Sequence, residues 1–220
     1  MDYLLGMDFG SQQDYTTHGL IRRHPVQKDL NRPLTPDNLT MQYHLVFLDR
    51  YPLGTPYPQL IAHTQRIMAD DKIRDNVILI PDATGVGLPI IQQMRMQNLS
   101  PMIPIAIHGG NAVSEKQDNF SVPKRDLVSS ITMVMQTRRL KVAANIKYKD
   151  QLIKEMQNFK LKMTKSGNDT YEALTQSIHD DLVMCVAMPI WYAERFMPDP
   201  AEMFGNLKSN QPEKINPFAR

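Results

Sequence analysis

Three aspartates stand where apolar stretches of the sequence end: Asp8 after Tyr-Leu-Leu-Gly-Met, Asp82 after Val-Ile-Leu-Ile-Pro, and Asp181 before Leu-Val-Met-Cys-Val. Asp14 and Asp180 lie close behind them in the sequence. A carboxylate beside apolar chain needs a partner, and several brought together repel one another, so a set of this kind is suited to hard divalent cations such as Mg²⁺ or Mn²⁺. Sites that hydrolyse phosphodiesters typically hold two such ions about 4 Å apart, bridged by carboxylate. Each acid also has a plainer reading. Asp8 can open a turn, Asp82 can be an Asx-turn residue ahead of Gly85, and Asp180 or Asp181 can cap or charge the start of a helix.

The elements that must position these acids can be read from the apolar pattern. Residues 3–9 form a buried strand broken by Gly10 and Ser11, a second strand spans about 16–22, and a third about 41–50 after a Pro-rich stretch. Three strands in succession imply an antiparallel meander. A helix follows near 59–71, then a strand at 77–80, the turn Asp82-Ala-Thr-Gly-Val-Gly87, a helix at 88–98 and a strand at 102–107. Pro123 precedes a helix through about 139 with Leu127, Ile131 and Val134 on its buried stripe, and another helix covers about 150–158. Phe159, Leu161 and Met163 alternate with lysines ahead of Ser166-Gly-Asn-Asp169, which predicts a hairpin. A last helix runs from about 180 to 196, with a kink expected at Pro189. The order predicts an α/β fold of the ribonuclease H-like plan: a mixed central sheet, antiparallel in its first three strands and parallel thereafter, flanked by helices. Residues 1–197 would form this domain and 198–220, with four prolines and few large apolar residues, a flexible tail.

Composition narrows the classes. The chain has 220 residues, 25 Lys+Arg against 23 Asp+Glu, 42% hydrophobic residues and one cysteine, Cys185. This is ordinary for a globular domain, allows no intramolecular disulfide, and makes the cytoplasm the expected compartment. The longest nearly uninterrupted apolar run, Leu182 to Trp191, falls well short of the roughly 20 residues a membrane helix needs. Charge is uneven: residues 115–165 carry 12 Lys/Arg and 5 Asp/Glu, leaving 13 and 18 elsewhere. Within that segment Lys124, Arg125, Lys160, Lys162 and Lys165 are candidates to neutralise phosphates, against the alternative of a solvated helix surface. No G-x-x-x-x-G-K-[ST] occurs, so a P-loop is absent from this sequence. Cys185 lies in an apolar helix and reads as structural, and His179 beside Asp180 is the one histidine placed to assist a metal or phosphate.

Three motifs then speak in order: Gly6-Met-Asp8-Phe-Gly10 with Asp14-Tyr-Thr-Thr17, Pro81-Asp-Ala-Thr-Gly-Val-Gly87, and His179-Asp-Asp-Leu-Val-Met-Cys-Val186. Together they resemble the nuclease domain of the large terminase subunit of tailed bacteriophages, over Leu4 to about Phe196. The resemblance implies a metal-dependent endonuclease that cuts concatemeric double-stranded viral DNA into genome lengths. It implies Asp8, Asp82 and Asp181 as catalytic metal-binding acids, with Asp180 and Asp14 supporting. Some members of the family carry the second acid two residues earlier, where this sequence has Ile80; positions two apart share a strand face, so Asp82 can substitute.

On that basis one ion held by Asp8 and Asp181 would activate water, and a second held by Asp8 and Asp82 would stabilise the leaving 3′ oxygen. Lys124 or Arg125 would meet charge on the phosphate, and the wider basic face would hold the duplex. Expected partners are double-stranded DNA, a terminase ATPase motor as domain or separate subunit, the portal protein and the small terminase subunit, in the host cytoplasm, with no membrane. A Holliday-junction-resolvase-like nuclease of the same fold, a packaging component that binds DNA or portal without cutting, and an actin-like nucleotide-binding protein are the alternatives.

Overall fold

The computed structural model describes residues 2–10, 14–117, 119–165 and 180–203, except for the side chains of 159–165. The chain opens with β1 (Asp2–Asp8), β2 (Thr17–Gln27) and β3 (Leu39–Arg50), an antiparallel meander in which Asp8 lies opposite Thr17 and Thr17 opposite Arg50. Helix α1 (Tyr57–Met68) leads to β4 (Val77–Pro81), which lies parallel to β1 on its other side. Helix α2 (Gly87–Met96) returns the chain to β5 (Ile105–His108). Isolated parallel bridges from Leu79 to Met102 and from Asp82 to Ile105 set this segment beside β4.

Two short strands that the apolar pattern does not announce follow, β6 (Ser114–Lys116) and β7 (Asn119–Pro123), and they join β5 in a three-stranded sheet of order β5-β7-β6. After helix α3 (Lys124–Gln136), a third unannounced strand, β8 (Leu140–Val142), adds in parallel to β3. The main sheet has the order β4-β1-β2-β3-β8. Helices α4 (Lys149–Lys165) and α5 (Asp181–Phe196) complete the described elements.

Alternation along β1 divides the core in two. Leu4 faces α3, α4 and α5 with Ile21, Tyr43 and Leu45, whereas Leu5 and Met7 face α1 and α2 with Leu60, Ile61, Ile90 and Ile91. Covered on both faces, β1 has to be nearly continuously apolar, which made it legible. Helix α5 is buried throughout Asp181 to Trp191, so it lies within the structure and not on its surface.

The predicted strand and hairpin at 159–169 require correction: residues 159–165 continue α4 as helix, and the turn residues 166–169 lie outside the described residues. The alternation of Phe159, Leu161 and Met163 is overridden by a longer helical spacing, Leu152, Met156, Phe159 and Met163, in which apolar residues recur every three or four positions. Pro189 sits inside a helix assigned as unbroken from Asp181 to Phe196. Beyond it, Arg23 donates to the Pro198 carbonyl, and Asp199 and Glu202 exchange backbone-to-carboxylate hydrogen bonds of 3.1 and 2.9 Å, the reciprocal pattern of a capping box at the start of the turn over 200–203. The remainder of the expected tail lies outside the described residues.

One close approach sets the position of α5. Proline has no N–H, so Pro189 cannot donate to the Cys185 carbonyl four residues before it. That carbonyl instead faces Gly6 of β1, where a Cβ would lie only 1.8 Å from its oxygen. Gly6 is directly opposite Gly19 in the β1–β2 pair, and a Cβ on Gly19 would meet the Cys185 sulfur at 3.2 Å. Two adjacent glycines thus leave a flat patch on which α5 lies against the sheet, one helical turn from Asp181.

Candidate active site

Asp8 ends β1, Asp82 immediately follows β4, and Asp181 opens α5. The two strands are parallel neighbours, and the Asp82 N–H donates to the Met7 carbonyl at 2.8 Å, which brings both acids to one sheet end. Thr17 donates through its hydroxyl to the Asp181 carbonyl at 2.9 Å, fixing the start of α5 over the row that contains Asp8. Burial, and then the charges of Asp82, Asp181 and Asp180, push the Asp8 carboxyl well above the usual carboxylate range, while Lys124 opposes them. Asp14 is not among the groups that weigh most on Asp8. It is exposed and lines a separate cleft with Gly10, Thr16, Pro52 and Tyr57.

Asp82 serves both its readings. One carboxylate oxygen accepts the Thr84 N–H at 2.8 Å and the Thr84 hydroxyl at 2.5 Å, the Asx turn of the plain reading. Burial still raises its pKa, against the hydrogen bonds from Thr84 and Asp8 and the charge of Lys124. The Asp8 and Asp82 carboxyls interact directly, and with both raised the pair retains a proton more readily than two separate carboxyls would. Asp180 holds the cap position of α5 but makes no side-chain cap; its carboxylate pairs with Lys124 at 2.6 Å.

The missing cap is supplied by a residue that the sequence did not single out. Glu155 of α4 is buried, and its carboxylate accepts the Leu182 N–H at 3.1 Å and a Gln151 side-chain N–H at 3.2 Å. Its pKa is raised to about 7, by burial first and by Asp181 among the charges. The signal was an acid one residue from Met156 on the stripe that begins at buried Leu152, where an amphipathic helix would carry an apolar side chain.

The basic residues are less open than their clustering suggests. Lys124 is held in the acid cluster, Arg125 binds the Asn111 side chain and carbonyl at 2.8 and 2.9 Å, Arg139 makes a two-pronged pair with Glu194, and Lys147 pairs with Asp49. Lys160, Lys162 and Lys165 lie on α4, with side chains outside the described residues, as is His179. Cys185 is buried, which keeps its thiol protonated and agrees with a structural role.

As they stand, no three His, Cys, Asp or Glu side chains among the described residues are grouped so as to enclose an ion. The donor set nevertheless fits hard divalent cations in kind. It is made of carboxylate oxygens whose proton affinity is raised by burial and, at Asp8, also by repulsion from Asp82, Asp181 and Asp180 that added positive charge would relieve.

Sheet order, helices on both faces and acids gathered at the ends of two parallel strands define the class: a ribonuclease H-like α/β domain. In sequence the chain is similar to large terminase subunits. It is 23% identical over 186 residues to that of Thermus virus P23-45 and 22% identical over 186 residues to that of Thermus phage G20c. Each match covers 84% of this chain, which spans 30% of the length of these curated relatives. The crystal structure of the large terminase nuclease from thermophilic phage G20c shares the fold, with a TM-score of 0.50 over 88% of this chain and 82% of that one at 20% identity. No family model matches the chain.

Proposed function

We propose that this chain is the nuclease of a viral DNA-packaging terminase, a metal-dependent endonuclease that cuts concatemeric double-stranded DNA into genome lengths. The observation that carries this reading is the convergence of Asp8, Asp82, Asp181 and Asp180 from three separate elements on one electrostatically coupled site. Similarity to proteins named large terminase subunits supports the packaging context. An ATPase motor, portal protein, small terminase subunit and the host cytoplasm follow from that context as proposed partners and compartment. No helix among the described residues is long and apolar enough to cross a membrane.

Asp8, Asp82 and Asp181, with Asp180 beside them, would hold two Mg²⁺ or Mn²⁺ ions. Such ions, when bound, supply Lewis-acid activation of water and neutralise charge on the phosphate. The chain's own groups prepare the oxygens for this. Thr84 fixes one oxygen of Asp82 and takes no part of the other. Thr17 and Glu155 hold the carbonyl and the N–H of the peptide that joins Asp181 to Leu182, so that the carboxylate is presented from a fixed helix end. A proton that the raised affinity of Asp8 and Asp82 retains would have to leave before both could act as ligands. Lys124, already paired with Asp180, can exchange that partner for a phosphate oxygen of the substrate. Asp14 stands as a supporting carboxylate only if the segment that carries it closes toward Asp8.

Supercoiled plasmid incubated with the purified chain in Mn²⁺, Mg²⁺, Ca²⁺ or EDTA tests the reading, beside Asp8→Asn and Asp181→Asn. Nicking and linearisation that require Mn²⁺ or Mg²⁺ and vanish in both variants are expected. A folded protein that leaves plasmid intact in every metal favours the DNA- or portal-binding alternative without cutting.

A further inference from the structure

We propose that Arg50 is a substrate contact: its guanidinium, held on the Tyr15 ring, grips a phosphate of the DNA backbone next to the acid cluster. The inference rests on the nuclease reading for the identity of its ligand. Its geometric basis is the row Asp8, Thr17, Arg50 across three antiparallel strands. Residues directly opposite one another across a ladder share a sheet face. Because Thr17 donates to the Asp181 carbonyl, that face is the one beneath the start of α5. Two strand spacings of about 4.8 Å put the Arg50 backbone on the order of 10 Å from that of Asp8. This offset lets it serve a phosphate beside the one at the acids, since nucleotides advance by about 3.4 Å along each strand of a duplex.

The side chain is built for such a contact. Its guanidinium carbon lies 3.5 Å from the Tyr15 ring centroid, and its buried Nε donates no hydrogen bond. Its backbone is held from two sides: the N–H donates to Asp49 at 3.0 Å, and the carbonyl accepts from the Tyr148 hydroxyl at 3.2 Å. The other cations of this region already have partners in Asp180, Asn111 or Asp49. Glu155 feels the Arg50 charge, but its carboxylate takes its hydrogen bonds from Gln151 and Leu182. A planar guanidinium oriented by an aromatic face keeps its remaining N–H donors in a fixed fork, which suits the paired oxygens of a phosphate better than a lysine would.

Binding of a labelled duplex, followed by fluorescence anisotropy in Ca²⁺ and in EDTA from about 50 to 200 mM salt, tests this directly. Arg50→Gln should weaken binding about tenfold and lower the slope of log affinity against log salt by about 0.9. Arg50→Lys should keep the slope but bind more weakly than the parent chain. Tyr15→Phe should behave as the parent and Tyr15→Leu should bind more weakly, while Lys72→Gln, on the exposed loop before β4, serves as control. A merely structural role would leave the salt slope unmoved. If Arg50→Gln does not fold, unchanged affinity in both Arg50→Lys and Tyr15→Leu overturns the proposal. Plasmid cleavage by the parent chain separates the two readings. Cutting with parental affinity and slope in Arg50→Gln removes Arg50 alone. Binding that loses slope in Arg50→Gln, without cutting by the parent, supports the contact and removes the nuclease reading. A parent chain that binds no duplex overturns both.

Discussion

Replacing Gly6 with alanine asks whether the close seat of α5 on the sheet is what places Asp181. Carbon–oxygen contacts of this kind settle at about 3.3 Å or more. A methyl on Gly6 would lie 1.8 Å from the Cys185 carbonyl oxygen and 2.9 Å from its carbon, so roughly 1.5 Å has to be found. The obstacle is helix backbone buried on all sides and not the free end of a side chain, so the penalty belongs at the upper end for overpacking, about 3 kcal/mol. For a chain of this size that is a fall of about 6 to 12 °C in Tm. Asp181 opens the same helix one turn before Cys185, and if it is the catalytic acid proposed above, misplacing it by about 1 Å should cost on the order of 100-fold in rate. Gly19→Ala is the matched comparison. Its Cβ would meet the Cys185 sulfur at 3.2 Å and the carbonyl oxygen at 3.4 Å, needing only a few tenths of an ångström. Thermal unfolding by circular dichroism and plasmid nicking in Mn²⁺ would be run on both. A Gly6→Ala protein that melts within about 1 °C of the parent and nicks at the parental rate would refute the account of how α5 is seated.

Two further outcomes follow from the charges at the site. Glu155 has a folded-state pKa raised to about 7, so the folded chain binds this proton more tightly than the unfolded one; the resulting stability is complete below the ordinary glutamate range and is lost as pH rises toward 7. Without metal the protein should therefore melt lower at pH 8 than at pH 5, and Glu155→Gln, which keeps an acceptor for the Leu182 N–H, should reduce that difference; a parent Tm that is flat or rises over this interval contradicts the assignment. At pH 8, Mn²⁺ or Mg²⁺ at 100 times its dissociation constant should stabilise the parent by about 2.7 kcal/mol in a calorimetric scan and leave Asp8→Asn nearly unmoved. An equal shift in both proteins would take Asp8 out of the ligand set.

The elements that carry Asp8 and Asp181 were legible in the sequence because each is buried on every side. Such segments must be apolar along their whole length, and the acid at the end of each then stands out. The short strands were not legible: Leu140-Lys-Val142 offers a single alternation, and Ser114-Glu-Lys116 none. Residues 159–165 carried two periods at once, and the helical one, continuous with α4, prevails. At Asp82 the turn and the site are not rivals, because a carboxylate has two oxygens and Thr84 takes only one. Lys124 reads as a phosphate contact in sequence, but its partner in the fold is Asp180, some 56 positions away, a pairing that no local pattern announces. Glu155 was hidden for the same reason. Its role is to satisfy the Leu182 N–H at the start of another helix, so only the packing of α4 on α5 exposes it.

The site is held together by a balance between unlike forces. Four carboxylates near one another oppose folding, and the chain offsets them with the raised proton affinity of Asp8 and Asp82, the ammonium of Lys124 on Asp180, and a Glu155 whose burial favours its neutral form. None of these removes the repulsion at the pH of a cell. What keeps Asp181 in place is the rest of its helix: Leu182 to Trp191 is buried without interruption, and each large apolar side chain there contributes about 1.5–3 kcal/mol. The hydrophobic helix and its seat on Gly6 thus drive a charged residue into a place that electrostatics alone would empty. This inverts the usual order of cause at a site of this kind. The core can bring the acids together without a cation, and the mutual repulsion that remains would be relieved when a cation binds.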